Sequence, residues 1–365
     1  MLIYIVPFIL SIFGIYYCDI HKRHSILLKV FLFIYLVIVL GLRYKVGGDT
    51  INYMGYYEGY PSLNEWELTF YDSYSFQPLF SFIFSLSKTI SKNFAFFQFL
   101  HAILFTSILY YFIKISTKYF FTALSLSLLI FYLYFTTEIL RESLAILVFT
   151  LNYKNLRENN IFKYYIGAAL AICFHISAVI LLVLPLLRWL KFDYKYAILV
   201  VLVCLSGYLW QDFLNFASSI SVLSEKVNTY RTDQSGGFLF SVLIILRYSV
   251  IPIVTNYFLK TKYNNTKYEN VLCVLSLLGI CSVFSYIIFT RFTNYFLILL
   301  AVAIAELLCK MFLSYNKSTR QSAIVYAIFI LLVYGSYYIH LNMYERWIPY
   351  SHIINPTEYD RENFF

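Results

Sequence analysis

Five short stretches of this chain carry residue types that could do chemistry. The first runs from Arg43 through Gly47, Gly48, Asp49 and Thr50 to Tyr53. The second holds Glu138, Arg141, Glu142 and Ser143, and the third holds His175 and Ser177. Arg291 marks the fourth, and Arg346, Trp347, Pro349 and Tyr350 the fifth. Several arginines with few carboxylates suit a phosphorylated substrate, because a guanidinium fork matches phosphate oxygens. The same fork can stabilise a diphosphate as it leaves. An aspartate or a histidine nearby can take a proton from an attacking hydroxyl. Together these residues point to group transfer from a phosphate- or diphosphate-bearing lipid.

The elements that must position them are set by composition. The 365 residues are 61% hydrophobic and only 13% charged, with a mean hydropathy of +0.70. Soluble domains carry about a quarter charged residues. Apolar runs long enough to cross a bilayer recur throughout, so the fold class is an all-α polytopic membrane protein of about 10–12 transmembrane or re-entrant helices. No stretch could form a separate soluble domain, so residues 1–365 read as one membrane domain. The net charge of +9 sits mostly in short loops and argues for orientation, with no nucleic acid as partner. The six cysteines lie in or beside apolar runs without metal spacing, and neither a metal nor another cofactor is expected. The first apolar run, from Leu2 to Tyr17, lacks a basic leader and a cleavage site and reads as retained.

Loop charge orients these helices. Lys22 and Arg23 make the first turn cytoplasmic and place the N-terminus outside. The second helix then delivers Arg43 to the exterior. Residues 43–76 form an external loop with an interfacial helix, holding five carboxylates against Arg43 and Lys45. The run from Phe121 to Tyr153 is too long for one helix, and its polar middle predicts two short spans meeting outside around Glu138–Ser143. The run from Tyr164 to Leu187 has basic flanks at both ends, which predicts a hairpin or broken helix with His175 at its tip. Residues 211–237 are a second external loop. Val271–Phe289 reads as one outward crossing to Arg291, and residues 343–365 as an external acidic tail.

Bland readings compete at each position. An arginine at a membrane edge can snorkel to headgroups. Asp49 can cap a helix or sit in a solvated turn after Gly47 and Gly48. His175 can be a core histidine bonded to backbone. No P-loop, HExxH, GxSxG or metal-ligand spacing is present.

The order and character of these motifs resemble the EpsG-type, Wzy-like polysaccharide polymerases. The resemblance covers Arg43 with Gly47-Gly48-Asp49-Thr50 and Tyr53. It continues in Leu140-Arg141-Glu142-Ser143-Leu144-Ala145 and in Phe174-His175 with Ser177-Ala178. Arg291 with Tyr295-Phe296, and Trp347 with Pro349-Tyr350, complete it. Glu142 stands where the family usually has glutamine.

The resemblance implies a bacterial inner-membrane enzyme related to the multi-span, lipid-donor (GT-C-like) glycosyltransferases, with its site facing the exterior. It implies polymerisation of repeat units carried on undecaprenyl diphosphate into exopolysaccharide, capsule or O-antigen, and leaves room for a chain-length regulator. In that frame Asp49 or His175 is the catalytic base. Arg141, Arg291 and Arg43 bind the diphosphate, and Arg43 also positions or charge-pairs with Asp49. Tyr53, Glu138, Trp347 and Tyr350 contact sugar. Rival readings are an O-antigen ligase, a membrane O-acyltransferase, or a non-enzymatic flippase of lipid-linked oligosaccharides.

Overall fold

In lipid, a backbone without water must satisfy its own polar groups, so apolar runs of this kind become helices. The computed structural model describes residues 2–66, 76–210, 212, 215, 237–339 and 344–356. Residues 67–75, most of 211–236 and the end of the predicted tail lie outside the described residues. Among the described residues, five helices are long and apolar enough to cross a membrane: α1 (Leu2–Ile20), α5 (Phe94–Ser116), α6 (Phe120–Thr137), α10 (Phe238–Tyr263) and α14 (Lys317–Ile339). A sixth candidate is the pair α12 (Tyr286–Asn294) and α13 (Leu297–Phe312), bent by 60°. Shorter helices are α2 (Ile26–Gly41), α3 (Thr50–Gly59), α4 (Pro78–Ile90), α7 (Leu140–Arg157), α8 (Ile161–Ile172), α9 (Tyr194–Ser206) and α11 (Glu269–Cys281). The protein is an all-α polytopic membrane protein, and among the described residues β-pairing is limited to isolated bridges.

Where the sequence reading treats the chain as one membrane domain, its packing forms two compact units. The first comprises residues 1–182 and 338–365, the second residues 183–337. In the first unit α6 is the core span, with 78% of its residues buried against 28% for α1. The outer face of α1 is lined by exposed Ile9, Ile12 and Phe13, as a lipid-facing helix requires. Pro7 inside α1 lacks an N–H and orphans the carbonyl of Ile3; the Tyr35 hydroxyl of α2 donates to that carbonyl at 2.8 Å.

Local chemistry sets the helix ends. Ser25 and Asn93 cap α2 and α5 by accepting from Leu28 N and Ala95 N. Pro78 opens α4, where a missing N–H costs nothing. Within residues 43–66 the helix is α3, whose last turn is bonded to α4. Lys88 donates to the carbonyls of Tyr57 (2.7 Å) and Glu58 (2.8 Å), in the last turn of α3, where a cation is favoured.

The predicted break in the Phe121–Tyr153 run falls between Thr137 and Leu140, separating α6 from α7. Residues Tyr164–Leu187 also divide. α8 ends at Ile172, the chain turns through Cys173–His175, and a 3-10 segment (Ile176–Leu182) runs back. The Tyr164 hydroxyl donates to the carbonyl of Leu181 at 2.8 Å, which closes the hairpin over seventeen residues. The second unit departs from expectation at Val271–Phe289, which is not one helix. α11 ends at Cys281; Ser282 bonds its hydroxyl to the carbonyl of Leu278 (2.9 Å), and the chain is extended at Ser285 before α12 begins. Arg291 therefore sits within a separate helix, α12.

Candidate functional site

The polar cluster of the first unit is built around the α6–α7 break. Two threonines prepare it. Thr136 and Thr137 fold their hydroxyls back onto the i−4 carbonyls of Tyr132 (2.6 Å) and Leu133 (2.8 Å) in the last turn of α6. Against this end lies the Gly47–Gly48 turn. Gly47 has φ +103°, and a Cβ there would stand 2.6 Å from Thr137 Cβ. A Cβ on Gly48 would stand 3.1 Å from Glu138 Oε2. Both positions thus let backbone approach the break, and Gly47 also needs the left-handed conformation. Thr50 reaches the same place, its hydroxyl lying 2.7 Å from the carbonyl of Val46 and 3.1 Å from that of Thr137.

The C-terminal segment seals the other side. Arg346 Nη1 donates to Glu138 Oε2 at 2.7 Å, and its carbonyl accepts from Gly47 N at 2.9 Å. Trp347 is buried, with its indole N–H donated to Thr137 Oγ1 at 2.9 Å and its ring edge-on to Tyr338. Tyr350 donates to the carbonyl of Val39 and packs edge-on to Tyr4. Tyr44 N and Ile353 N bond the carbonyls of Ser351 and Leu42, so the tail is stitched along residues 42–44. Trp347 and Tyr350 hold the frame here; the indole presents its edges to protein atoms.

Within this frame the structure brings Asp49, Tyr53, Glu138 and Arg141 together. Arg141 is partly exposed at the first turn of α7; its Nε donates to the Tyr53 hydroxyl at 3.3 Å and its guanidinium lies 4.5 Å over the ring of Phe76. Asp49 is exposed at the N-cap position of α3 without a side-chain capping bond, and its charge acts on both Tyr53 and Glu138. Glu138 is 3% exposed, accepts from Gly48 N–H and from Arg346, and leaves Oε1 buried without a hydrogen-bond partner among the described residues. Burial pushes its carboxyl up to about 7; Arg346 opposes the shift and Asp49 adds to it. Burial likewise raises the Tyr53 phenol, against the pull of Arg141.

Arg43 is placed just past the end of α2. It is 1% exposed and spends Nε and Nη1 on the carbonyls of Val46 and Leu40, stapling the end of α2 to the glycine turn. Burial lowers its pKa to about 10. No carboxylate lies in ion-pair range of it among the described residues.

His175 sits at the tip of the α8 hairpin, buried, with Nδ1 2.6 Å from Ser177 Oγ. Ser177 N also donates to that nitrogen at 3.3 Å, so Nδ1 is an acceptor. The hairpin tip is tied to α4, where Leu79 N donates to the carbonyl of Cys173 at 2.9 Å. The same end of α4 follows Phe76, the ring beneath Arg141. Arg291 belongs to the second unit, exposed in the last turn of α12.

Sequence reasoning overlooked Arg346 as the partner of Glu138, and it overlooked Gln98 and His101 of α5 altogether. Gln98 donates to the carbonyl of Arg43 (3.1 Å), and His101 Nε2 lies 2.9 Å from Ser143 Oγ. Two polar residues three apart in an apolar span were the available signal, since one face of α5 must then find polar partners. Among the described residues, no three His, Cys, Asp or Glu side chains gather to hold a metal ion.

The cluster thus offers a partly exposed guanidinium at Arg141, an exposed carboxylate at Asp49 and a buried Glu138–Arg346 ion pair. No curated protein and no solved structure matches the chain. The EpsG family model matches residues 26–352, which spans every motif in the cluster. The chain belongs to the EpsG family.

Proposed function

We propose that this protein is a polysaccharide polymerase that joins repeat units carried on undecaprenyl diphosphate, at the external face of a bacterial inner membrane. Family membership supports the polymerase class. The observation that carries the site assignment is the convergence of the Gly47–Tyr53, Glu138–Arg141 and Arg346–Trp347 segments at one helix break.

In the proposed reaction a growing glycan on its lipid diphosphate is the donor. A hydroxyl at the non-reducing end of a second lipid-linked repeat is the acceptor. Its oxygen forms a bond to the donor's anomeric carbon as the bond from that carbon to the diphosphate oxygen breaks. The diphosphate leaves with the electron pair, and Arg141 neutralises the charge it gains. Asp49 takes the hydroxyl proton, being the exposed carboxylate beside Arg141. Tyr53 orients Arg141. Glu138 fixes the glycine turn through Gly48 and the tail through Arg346. His175 is the alternative base, and its Nδ1 is already an acceptor from Ser177. Arg291 is an anion-binding candidate in its own unit.

The test is the glycan made by cells carrying Arg141→Ala or Asp49→Ala. Removing an electrostatic stabiliser of this kind lowers turnover roughly 100- to 1000-fold, so long polymer should vanish and single lipid-linked repeats accumulate. Normal polymer length in either variant removes that residue from the mechanism. A deletion strain that instead accumulates full-length lipid-linked polymer makes the protein a ligase.

A further inference from the structure

The buried polar atoms of the first unit without hydrogen-bond partners among the described residues include Arg43 Nη2, Gln98 Oε1 and His101 Nδ1. The residues that carry them are brought close by three observations. Gln98 places its amide nitrogen 3.1 Å from the carbonyl of Arg43. Gln98 and His101 stand three residues apart on α5 and so share a face. The Arg43 charge acts on the His101 ring. All three side chains are at least 97% buried.

The other ends of these side chains fix their roles. His101 Nε2 faces the carbonyl of Leu140 (3.2 Å) and Ser143 Oγ (2.9 Å). Ser143 spends its own hydrogen on the Leu140 carbonyl, 2.9 Å away. Both partners of Nε2 are acceptors, so the ring proton sits on Nε2 and Nδ1 presents a lone pair. Gln98 Oε1 is also an acceptor, because its amide nitrogen is the donor to Arg43. Arg43 Nη2 is a donor. One donor and two acceptors match one water molecule, which accepts from Arg43 and donates to Gln98 and His101. Native interiors leave few such groups unmatched.

We propose that Arg43, Gln98 and His101 enclose a binding site for a single water, and that Gln98 and His101 are positioning residues for Arg141. The bridge runs from the Arg43 turn through α5 to the first turn of α7. There His101 holds the carbonyl of Leu140, the residue before Arg141. Gly47, Gly48 and Asp49 follow Arg43 on the other side. The device therefore sets the spacing between the proposed base and the proposed phosphate ligand, and in this respect it rests on the polymerase reading.

Two measurements test it separately. An experimental map of the full-length protein in a lipid nanodisc, at a resolution that shows ordered water, should contain one water within hydrogen-bond distance of all three atoms. A dry site, with Arg43 Nη2 directly on His101 Nδ1, overturns the water. The second measurement is polymerisation by the purified full chain, supplied with lipid-linked repeats extracted from a deletion strain. His101→Leu should lower the rate roughly 10- to 100-fold at unchanged thermal stability. His101→Gln, which keeps a donor at the position of Nε2, should recover most of the rate. Equal rates for His101→Leu and wild type overturn the positioning role while leaving the polymerase reading intact. Failure of wild type to extend the repeats overturns that reading, and the map still decides the water.

Discussion

Each unit of this protein buries a glutamate against a cation, and the two pairs are built differently. In the second unit Glu269 Oε1 accepts from Lys260 Nζ and from Phe192 N, both at 2.8 Å. Lys260 returns to the carbonyl of Phe192, also at 2.8 Å, so three groups close a ring at the turn joining α10 to α11. In the first unit Glu138 Oε2 is held by Arg346 and by Gly48 N–H, Oε1 has no partner among the described residues, and a second carboxylate, Asp49, acts on it. A closed ring fastens a turn. An open pair beside a like charge keeps proton affinity and hydrogen-bonding capacity unspent, which is how carboxylates are arranged where they act on something else. The same residue types thus mark a structural clamp in one place and a candidate site in the other.

Removing each glutamate gives the largest expected separation. Glu138→Ala should lower polymerisation by at least about tenfold, because Arg346 and the glycine turn lose their common anchor and Asp49 moves relative to Arg141. Glu269→Ala should leave the rate per folded molecule unchanged and cost stability instead. Breaking a buried pair costs about 3–5 kcal/mol, and less here because the Lys260 side chain is a third exposed. The readouts are polymer length per unit of membrane-inserted protein and the unfolding temperature in detergent. If Glu269→Ala abolished polymer at normal protein levels, the contrast between clamp and site would fail.

A smaller effect separates the two glycines that face Glu138 and Thr137. Gly47→Ala places a Cβ 2.6 Å from Thr137 Cβ in a backbone with φ +103°, so both packing and conformation oppose it. Gly48→Ala meets Glu138 Oε2 at 3.1 Å, and that oxygen ends a side chain that can move by a few tenths of an ångström. Gly47→Ala should abolish stable insertion or activity; Gly48→Ala should retain protein and lose activity several-fold. Equal tolerance of both would mean the turn does not set the site.

Much of this arrangement was legible from residue order. The Thr136–Ser143 cluster announced the α6–α7 break, because a polar segment inside an apolar run cannot remain a plain lipid-facing helix. Basic flanks on both sides of Tyr164–Leu187 announced the hairpin with His175 at its turn. Three things were not legible. The partner of Glu138 lies 208 residues away, and the partners of His101 lie 39 and 42 residues away. No local period reports such pairings. Arg43 has polar sequence neighbours that suggest a rim cation, yet it is 1% exposed and two of its three nitrogens are spent on the carbonyls of Leu40 and Val46. The interruption at Ser282–Ser285 was hidden because serines capping a carbonyl cost an apolar run almost nothing in hydropathy.

The smallest expected effect is in the pH dependence that Glu138 gives the first unit. The Glu138 carboxyl is raised from 4.5 to about 7 in the folded chain, chiefly by burial. Between those values the folded protein binds this proton more readily than the unfolded one, so Glu138 makes stability fall as pH rises through that window. Below about pH 4.5 both states are protonated and the contribution is fully present; above about 7 it is lost. The unfolding temperature of wild type should therefore drop more steeply between pH 5 and pH 8 than that of Glu138→Gln, by about two to four degrees on the size scaling of such shifts. Parallel curves for wild type and Glu138→Gln would mean that Arg346 holds the Glu138 carboxylate ionised throughout, making it as closed as Glu269 and leaving Asp49 to act without a titrating neighbour.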